Sequence, residues 1–190
     1  MENYTIIIRE AQKTDAELVA DAVLMALGGE PKAHALYPIF LELAGRELSQ
    51  YSYRNALVAT IEGEPAGAIV GYDGARLQEL RAPLIALIQE RLGEPFEIEE
   101  ETSAGEFYID SLSVMPSFRG KGVGRALLSA LRDKAFEMGY ERVGLLVDFD
   151  NPRAEKLYSS FGFERVNETT FLGHRMWHMQ AKKKVTSVCK

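Results

Sequence analysis

Three groups of side chains in this chain have types and spacings that can do chemistry. The first is Arg119-Gly120-Lys121-Gly122-Val123-Gly124-Arg125, three glycines interleaved with three cations. Glycine lets a ligand approach the backbone closely, and a basic pocket on an otherwise acidic chain suits a phosphorylated molecule. The second is a phenol, Tyr158, inside a segment opened by Asn151-Pro152. The third is a pair of carboxylates, Glu106 and Asp110, able to take a proton directly or through water. The glycine spacing narrows the ligand. A P-loop needs G-x-x-x-x-G-K-[ST], but Gly124 is followed by Arg125 and Ala126; a dinucleotide fingerprint needs G-x-G-x-x-G, but Gly120, Gly122 and Gly124 alternate strictly.

Elements able to hold these groups flank them. Tyr108 to Val114 reads as a mostly apolar strand, ended by Met115-Pro116-Ser117 because proline has no amide to continue a ladder. Val123, Ala126, Leu127, Ala130, Leu131, Ala135 and Met138 recur at helical spacing, so a helix starts within the glycine run. Its first amides lack intrahelical partners and carry partial positive charge, which makes a phosphate seat. Arg142 to Val147 reads as a further strand. Asn151 as cap and Pro152 at the first helical position then start a short helix that ends at Gly162, with Ala154, Leu157, Tyr158 and Phe161 as its apolar face.

With this context, Arg119, Gly122 and Gly124 resemble the acyl-CoA signature Q/R-x-x-G-x-G/A of the GNAT superfamily of N-acyltransferases. Asn151, Ala154, Tyr158, Gly162 and Phe163 resemble the same family's later block, N-x-x-A-x-x-x-Y-x-x-x-G-F. The two motifs occur in the family's order and cover Phe107 to Phe163; the N-terminal half agrees in element order alone. The resemblance implies an α/β fold with a central, mostly antiparallel sheet flanked by helices. It implies transfer of an acetyl group from acetyl-CoA to a primary amine by direct attack on the thioester. The pyrophosphate would rest on the amides of Arg119, Gly120, Lys121, Gly122, Val123, Gly124 and Arg125. The pantetheine arm would pair with the strand edge near Leu112 and Val114. Asn151 would meet the cofactor or only cap its helix; Tyr158 would be the general acid or a core aromatic. For the base, Asp110 leads, with Glu106 and a water path as alternatives. A non-catalytic acyl-CoA-binding sensor is the rival reading.

The rest of the chain frames this centre. Thr5 to Arg9 reads as a buried first strand. Thr14-Asp15-Ala16-Glu17 spells a capping box for a helix that stops at Gly28-Gly29, and Tyr37 to Ser49 is a second helix. The resemblance puts acceptor-binding surface on these two helices. Asn55 to Ile61 and Ala66 to Tyr72 flank Glu62-Gly63-Glu64-Pro65 as a hairpin. Residues 73–105 read as an insert with Leu77, Leu80, Leu84, Leu87, Ile88 and Leu92 at helical spacing and Pro83 as a kink. The insert ends in five glutamates within eight positions, from Glu94 to Glu101, either a solvated loop or a funnel for a cationic acceptor. Glu164 to Val166 and Thr170 to Gln180 read as closing strands around Asn167-Glu168, and Lys182-Lys183-Lys184 as the start of a solvated tail.

Composition sets outer bounds. With 190 residues, 46% hydrophobic and 26% charged, the expectation is one domain over 1–180 and a flexible tail over 181–190. A net charge of -6 disfavours nucleic acid. The lone cysteine, Cys189, permits no internal disulfide and points to the cytoplasm; no apolar run reaches the ~18 residues of a membrane span. His174 and His178 would share one side of a strand, yet no further ligand accompanies them, so no metal is expected. The expected acceptor is a cationic small molecule or peptide, and a homodimer is open to so compact a chain.

Overall fold

A computed structural model describes residues 5–184. Seven strands form one sheet in the order β1-β2-β3-β4-β5-β7-β6, antiparallel throughout except between β4 and β5. The strands are β1 (Ile6–Glu10), β2 (Ala56–Ile61), β3 (Glu64–Asp73), β4 (Phe107–Val114), β5 (Arg142–Asp148), β6 (Glu164–Phe171) and β7 (His174–Lys182). The helices are α1 (Ala16–Ala26), α2 (Tyr37–Gly45), α3 (Leu77–Leu92), α4 (Val123–Glu137) and α5 (Pro152–Ser159).

Alternation along the strands divides the core in two. Val58, Ala68 and Val70 point to one face, where α1, α2 and α3 bury Val19, Val23, Leu43, Leu84 and Ile88. Leu57, Ala59 and Ile69 point to the other, under Leu127, Leu128 and Leu131 of α4 and the apolar side of α5. Each such buried Val, Leu or Ile side chain contributes about 1.5–3 kcal/mol relative to exposure.

Several local expectations change. β1 is an edge strand whose Ile6 and Ile8 pack inward while Ile7 is 54% exposed, so the three isoleucines alternate instead of being buried together. The capping box before α1 uses Gln12 and Asp15, not Thr14 and Glu17: the Asp15 carboxylate accepts from the Gln12 amide at 2.7 Å and also binds Arg9, and a 3-10 turn over Lys13–Asp15 precedes the helix. The second helix stops at Gly45 rather than Ser49. α3 runs from Leu77 to Leu92 with Pro83 inside it. The closing hairpin turns at Leu172-Gly173, not at Asn167-Glu168. Both turn residues have positive φ (49° and 77°), a type I′ geometry matched to strand twist, and Asn167 and Glu168 lie within β6. Lys182 closes β7, while Lys183 donates to the Phe136 carbonyl at 2.7 Å, so the first lysines after Gln180 are held. Cys189 lies outside the described residues.

Candidate active site

β4 and β5 pair in parallel only from Phe107↔Val143 to Ile109↔Leu145, although both strands continue. A bulge at Asp110 starts the divergence: Val70 faces Ser111 and Gly71 faces Ile109, leaving Asp110 as the extra residue of β4. Phe107 and Ile109 therefore point to the α4 face, and so do Leu112 and Val114, three and five residues past Ile109. Past Ile109 one edge of β4 is still laddered to β3, but the other opens onto a cleft of about 770 Å3.

The cleft gathers residues from distant parts of the chain. Asp110, Leu112 and Val114 line it from β4, and Leu146, Val147 and Asp148 from β5. Gly124 of α4, Asn151, and Tyr158 of α5 close one side. Met25 to Gly28 at the end of α1, Tyr51, Tyr108 and Glu101 border the other, with Phe171, Leu172, His174 and Met176 around the β6–β7 turn. Its charged lining includes Glu101, Asp110, Asp148 and Asp150 but neither lysine nor arginine.

Beside the cleft stands the start of α4. Gly122 is its N-cap at φ 86° and Gly120 has φ 77°, conformations that glycine adopts without a Cβ penalty. Ala126 is the first residue to bond back along the helix, to the Gly122 carbonyl at 3.1 Å, so the amides of Val123, Gly124 and Arg125 have no intrahelical partner. The Val123 side chain is core, which leaves its amide as the group on offer. The three cations of the loop are partly engaged. Arg119 Nε donates to the Val114 carbonyl at 3.4 Å, Lys121 lies 5.2 Å from the Phe118 ring centroid, and Arg125 donates to Ser160 Oγ at 3.2 Å above Phe161.

Tyr158 and Asn151 come from one short helix. Asn151 Oδ1 accepts from the Ala154 amide at 3.1 Å, so its carbonyl oxygen serves as a cap. Tyr158 is half-buried, its ring 6.0 Å from Phe163, and burial pushes its hydroxyl up to about 12. The phenol holds its proton at neutral pH.

The two candidate carboxylates occupy opposite environments. Glu106 is buried away from the cleft; burial alone would raise its pKa, but hydrogen bonds with His178 (2.9 Å), Thr102 (2.7 Å) and Gln180 (2.7 Å) outweigh it and hold the group below its ordinary value. Its carboxylate lies over Gly144, where any added Cβ would collide with it. Asp110 is on the cleft wall and shifts the other way: burial raises it more than hydrogen bonds from Ser111, Gln50 and Tyr72, and the nearby Arg81, lower it.

Behind Asp110 is a polar cluster that the sequence does not announce. Gln50 Nε2 donates to Asp110 Oδ2 at 2.9 Å and to Glu101 Oε1 at 3.0 Å. Tyr72 Oη lies 2.9 Å and 3.1 Å from the same two oxygens. Glu101 forms an ion pair with Arg81, both side chains 2% exposed, and Arg81 also donates to the Glu99 carbonyl at 2.9 Å. The acidic run is thus not one group. Glu101 is interior, Glu99 reaches the Leu172 amide at 3.4 Å, Glu100 accepts from Gln78 at 2.6 Å, and Glu94 and Glu97 are exposed. One signal marks Arg81: it sits four residues after Leu77 and three before Leu84, a charge on the apolar stripe of its helix. The two β7 histidines engage separate acids, His174 with Asp148 at 3.0 Å and His178 with Glu106.

Comparison with known proteins agrees with this arrangement. A solved structure described as an acetyltransferase superposes with a TM-score of 0.78 at 35% identity, covering 93% of this chain and 98% of that one. An aminoglycoside acetyltransferase solved in complex with coenzyme A and kanamycin shares the fold, with a TM-score of 0.62 at 22% identity over 94% of this chain and 95% of that one. A mycothiol acetyltransferase of Propionibacterium freudenreichii is 35% identical over 104 residues, 55% of this chain and 30% of its own length. The chain spans less than two thirds of the length of the curated relatives it matches first. No helix among the described residues is long and apolar enough to cross a membrane. The profile of the acetyltransferase (GNAT) family matches residues 28–163, from the end of α1 through the strand divergence, the amide-bearing start of α4 and Tyr158, so the chain belongs to that family of acyltransferase enzymes.

Proposed function

We propose that the protein transfers an acetyl group from acetyl-CoA to the amine of a cationic small molecule or peptide. The observation that carries this reading is the parting of β4 from β5 beside the free amides of α4, with Tyr158 and Asp110 lining the same cleft. The open edge of β4 near Leu112 and Val114 offers backbone groups to the amides of a pantetheine arm, as an added strand would use them. The amides of Val123, Gly124 and Arg125, with the cations of that loop, suit the pyrophosphate, whereas the Arg119 amide already donates to the Pro116 carbonyl at 3.4 Å. Tyr158 lines the same cleft, and its hydroxyl would donate to the thiolate departing from a thioester held there.

The acceptor arrives as an ammonium and attacks as a neutral amine. Asp110 is the group that takes this first proton: it lines the cleft, whereas Glu106 is committed to Thr102, His178 and Gln180. Its raised pKa brings it nearer to working pH, which favours a base. As the carbon–nitrogen bond forms and the carbon–sulfur bond breaks, Tyr158 gives its proton to sulfur and the nitrogen's second proton passes to the Tyr158 oxygen, which restores the phenol. The acidic lining supports a cationic acceptor. The test is release of free coenzyme A thiol from acetyl-CoA over a panel of polyamines, amino sugars, amino acids and basic peptides. Amine-dependent release that Tyr158→Phe removes supports the enzyme. Tight acetyl-CoA binding with silence across the panel favours a sensor, and loss of binding as well overturns the reading.

A further inference from the structure

Resting on that reading, we infer that Tyr72 is a positioning residue for Asp110, turning its one hydroxyl hydrogen from Asp110 to Glu101 when Asp110 takes the acceptor's proton. The argument is a count of hydrogens. Asp110 Oδ2 and Glu101 Oε1 are each approached by Gln50 Nε2 and by Tyr72 Oη, at 2.9–3.1 Å, which makes four contacts. Gln50 Oε1 faces Arg81 Nε at 3.5 Å, which orients the amide so that both its hydrogens go to the carboxylates. Tyr72 has one hydrogen for the remaining two contacts. With both carboxylates ionised, one contact sets a hydroxyl lone pair against a carboxylate oxygen. One added proton fills all four: Asp110 donates to Tyr72 Oη, and Tyr72 donates to Glu101 Oε1.

Charge decides which carboxylate receives that proton. Arg81 of α3 neutralises Glu101, while the other groups facing Asp110 are Tyr51 before β2, Tyr72 of β3, Tyr108 of β4, and Asp148 with His174 across the cleft. The balance is complete: the amine's N–H bond breaks, an Asp110 O–H bond forms, and Tyr72 keeps its own proton. Burial, and then the charge of Asp110, keep the Tyr72 phenol far above its ordinary pKa, so it rotates and does not ionise. The 74–106 segment, which supplies both Arg81 and Glu101, thereby becomes part of the acceptor site.

The test is titration of the Asp110 carboxyl carbon by 13C NMR, its signal assigned by Asp110→Asn, in wild type, Tyr72→Phe and Glu101→Gln. Phenylalanine keeps the ring packed on Tyr108, 5.9 Å away, so that variant retains the core. Removing the Tyr72 hydroxyl takes one favourable and one unfavourable contact from the ionised state but two favourable contacts from the protonated state, so the Asp110 midpoint should move down by about one pH unit. Losing the Glu101 charge, which leaves Arg81 facing the cluster, should move it down by about the same. The acid limb of kcat/KM for a responding amine should follow both, with KM for acetyl-CoA unchanged. A Tyr72→Phe midpoint within a few tenths of wild type, or an upward move such as loss of a fixed donor to Asp110 would give, overturns the inference. The NMR titration needs no acceptor. Displaced midpoints in a protein that transfers nothing overturn the acetyl-transfer reading alone; unmoved midpoints in an active enzyme overturn this inference alone.

Discussion

The two sides of the cleft are built by different means. The side formed by β4, α4 and α5 lies within residues 107–163, and its chemistry is mostly backbone: an open strand edge, the first amides of a helix, and one phenol on a short capped helix. The side around Asp110 is made of side chains that meet across the chain, with Gln50 and Asp110 60 residues apart, Gln50 and Glu101 51, and Tyr72 and Asp110 38. Backbone chemistry leaves a local record, because glycine spacing and caps follow from φ and from unpaired amides. Side-chain chemistry leaves a record only where a residue is out of character. The difference teaches that a cofactor seat can be read from a segment, whereas an acceptor wall needs the packed sheet.

Experiments can press on each side. The largest effect should come from Gly122→Glu, which strains a residue at φ 86° and sets a carboxylate at the proposed phosphate seat; acetyl-CoA affinity should fall by about 100-fold or more by calorimetry. Unchanged affinity would remove the backbone account of that side. Tyr158→Phe should lower kcat by about 100-fold while the acetyl-CoA Kd holds, since a general acid acts on the departing group and not on the bound one. On the other side, Arg81→Met leaves Glu101 buried without its partner and should cost about 3–5 kcal/mol of stability in denaturant unfolding. Adding Glu101→Leu should return most of it; failure to recover would show that the pair does more than neutralise itself.

Glu106→Gln tests a smaller effect. The folded-state pKa of Glu106 is below its ordinary value, so its contribution is present above 4.5 and fades as pH falls through the folded value. The variant should be less stable than wild type by about 1–2 kcal/mol at pH 7, a gap that closes in acid. Smallest of all, Glu99→Gln with Glu100→Gln should raise KM for a cationic amine about two-fold at low salt and not at high salt. An equal rise after Glu97→Gln would make the effect one of net charge alone.

Much of the fold was legible because its signals are short-range. The seven strands, the hairpin between β2 and β3 and the helix starting from the glycine run follow from alternation, turn residues and apolar spacing, although the turn is Glu62-Gly63 alone and Glu64 and Pro65 already pair within β3. Errors fell where a tertiary partner decided the outcome. Asp15 was drawn from the expected box by Arg9 and Gln12, and the β6–β7 turn moved to Leu172-Gly173 because both residues accept positive φ there, although Leu172 gives no hint of it. Of the residues lining the candidate cleft, Gly124, Asn151, Tyr158 and Asp110 carry signals in the sequence. The bulge that turns Asp110 toward the cleft carries none, since a single extra residue in a ladder has no composition of its own. Gln50 and Tyr72 were equally silent, being ordinary residues beside ordinary strands.

The three pairs joining β4 to β5 also have a mechanical meaning. They are the seam between a four-stranded half and a three-stranded half of the sheet, and beyond Leu145 nothing in the ladder holds the halves together. A molecule lying along that gap with its amides engaged would act as a missing rung. Acetyl-CoA should then raise Tm in proportion to the logarithm of its concentration above Kd and slow hydrogen exchange at Leu112 and Val114, so that the substrate finishes the sheet it is bound to.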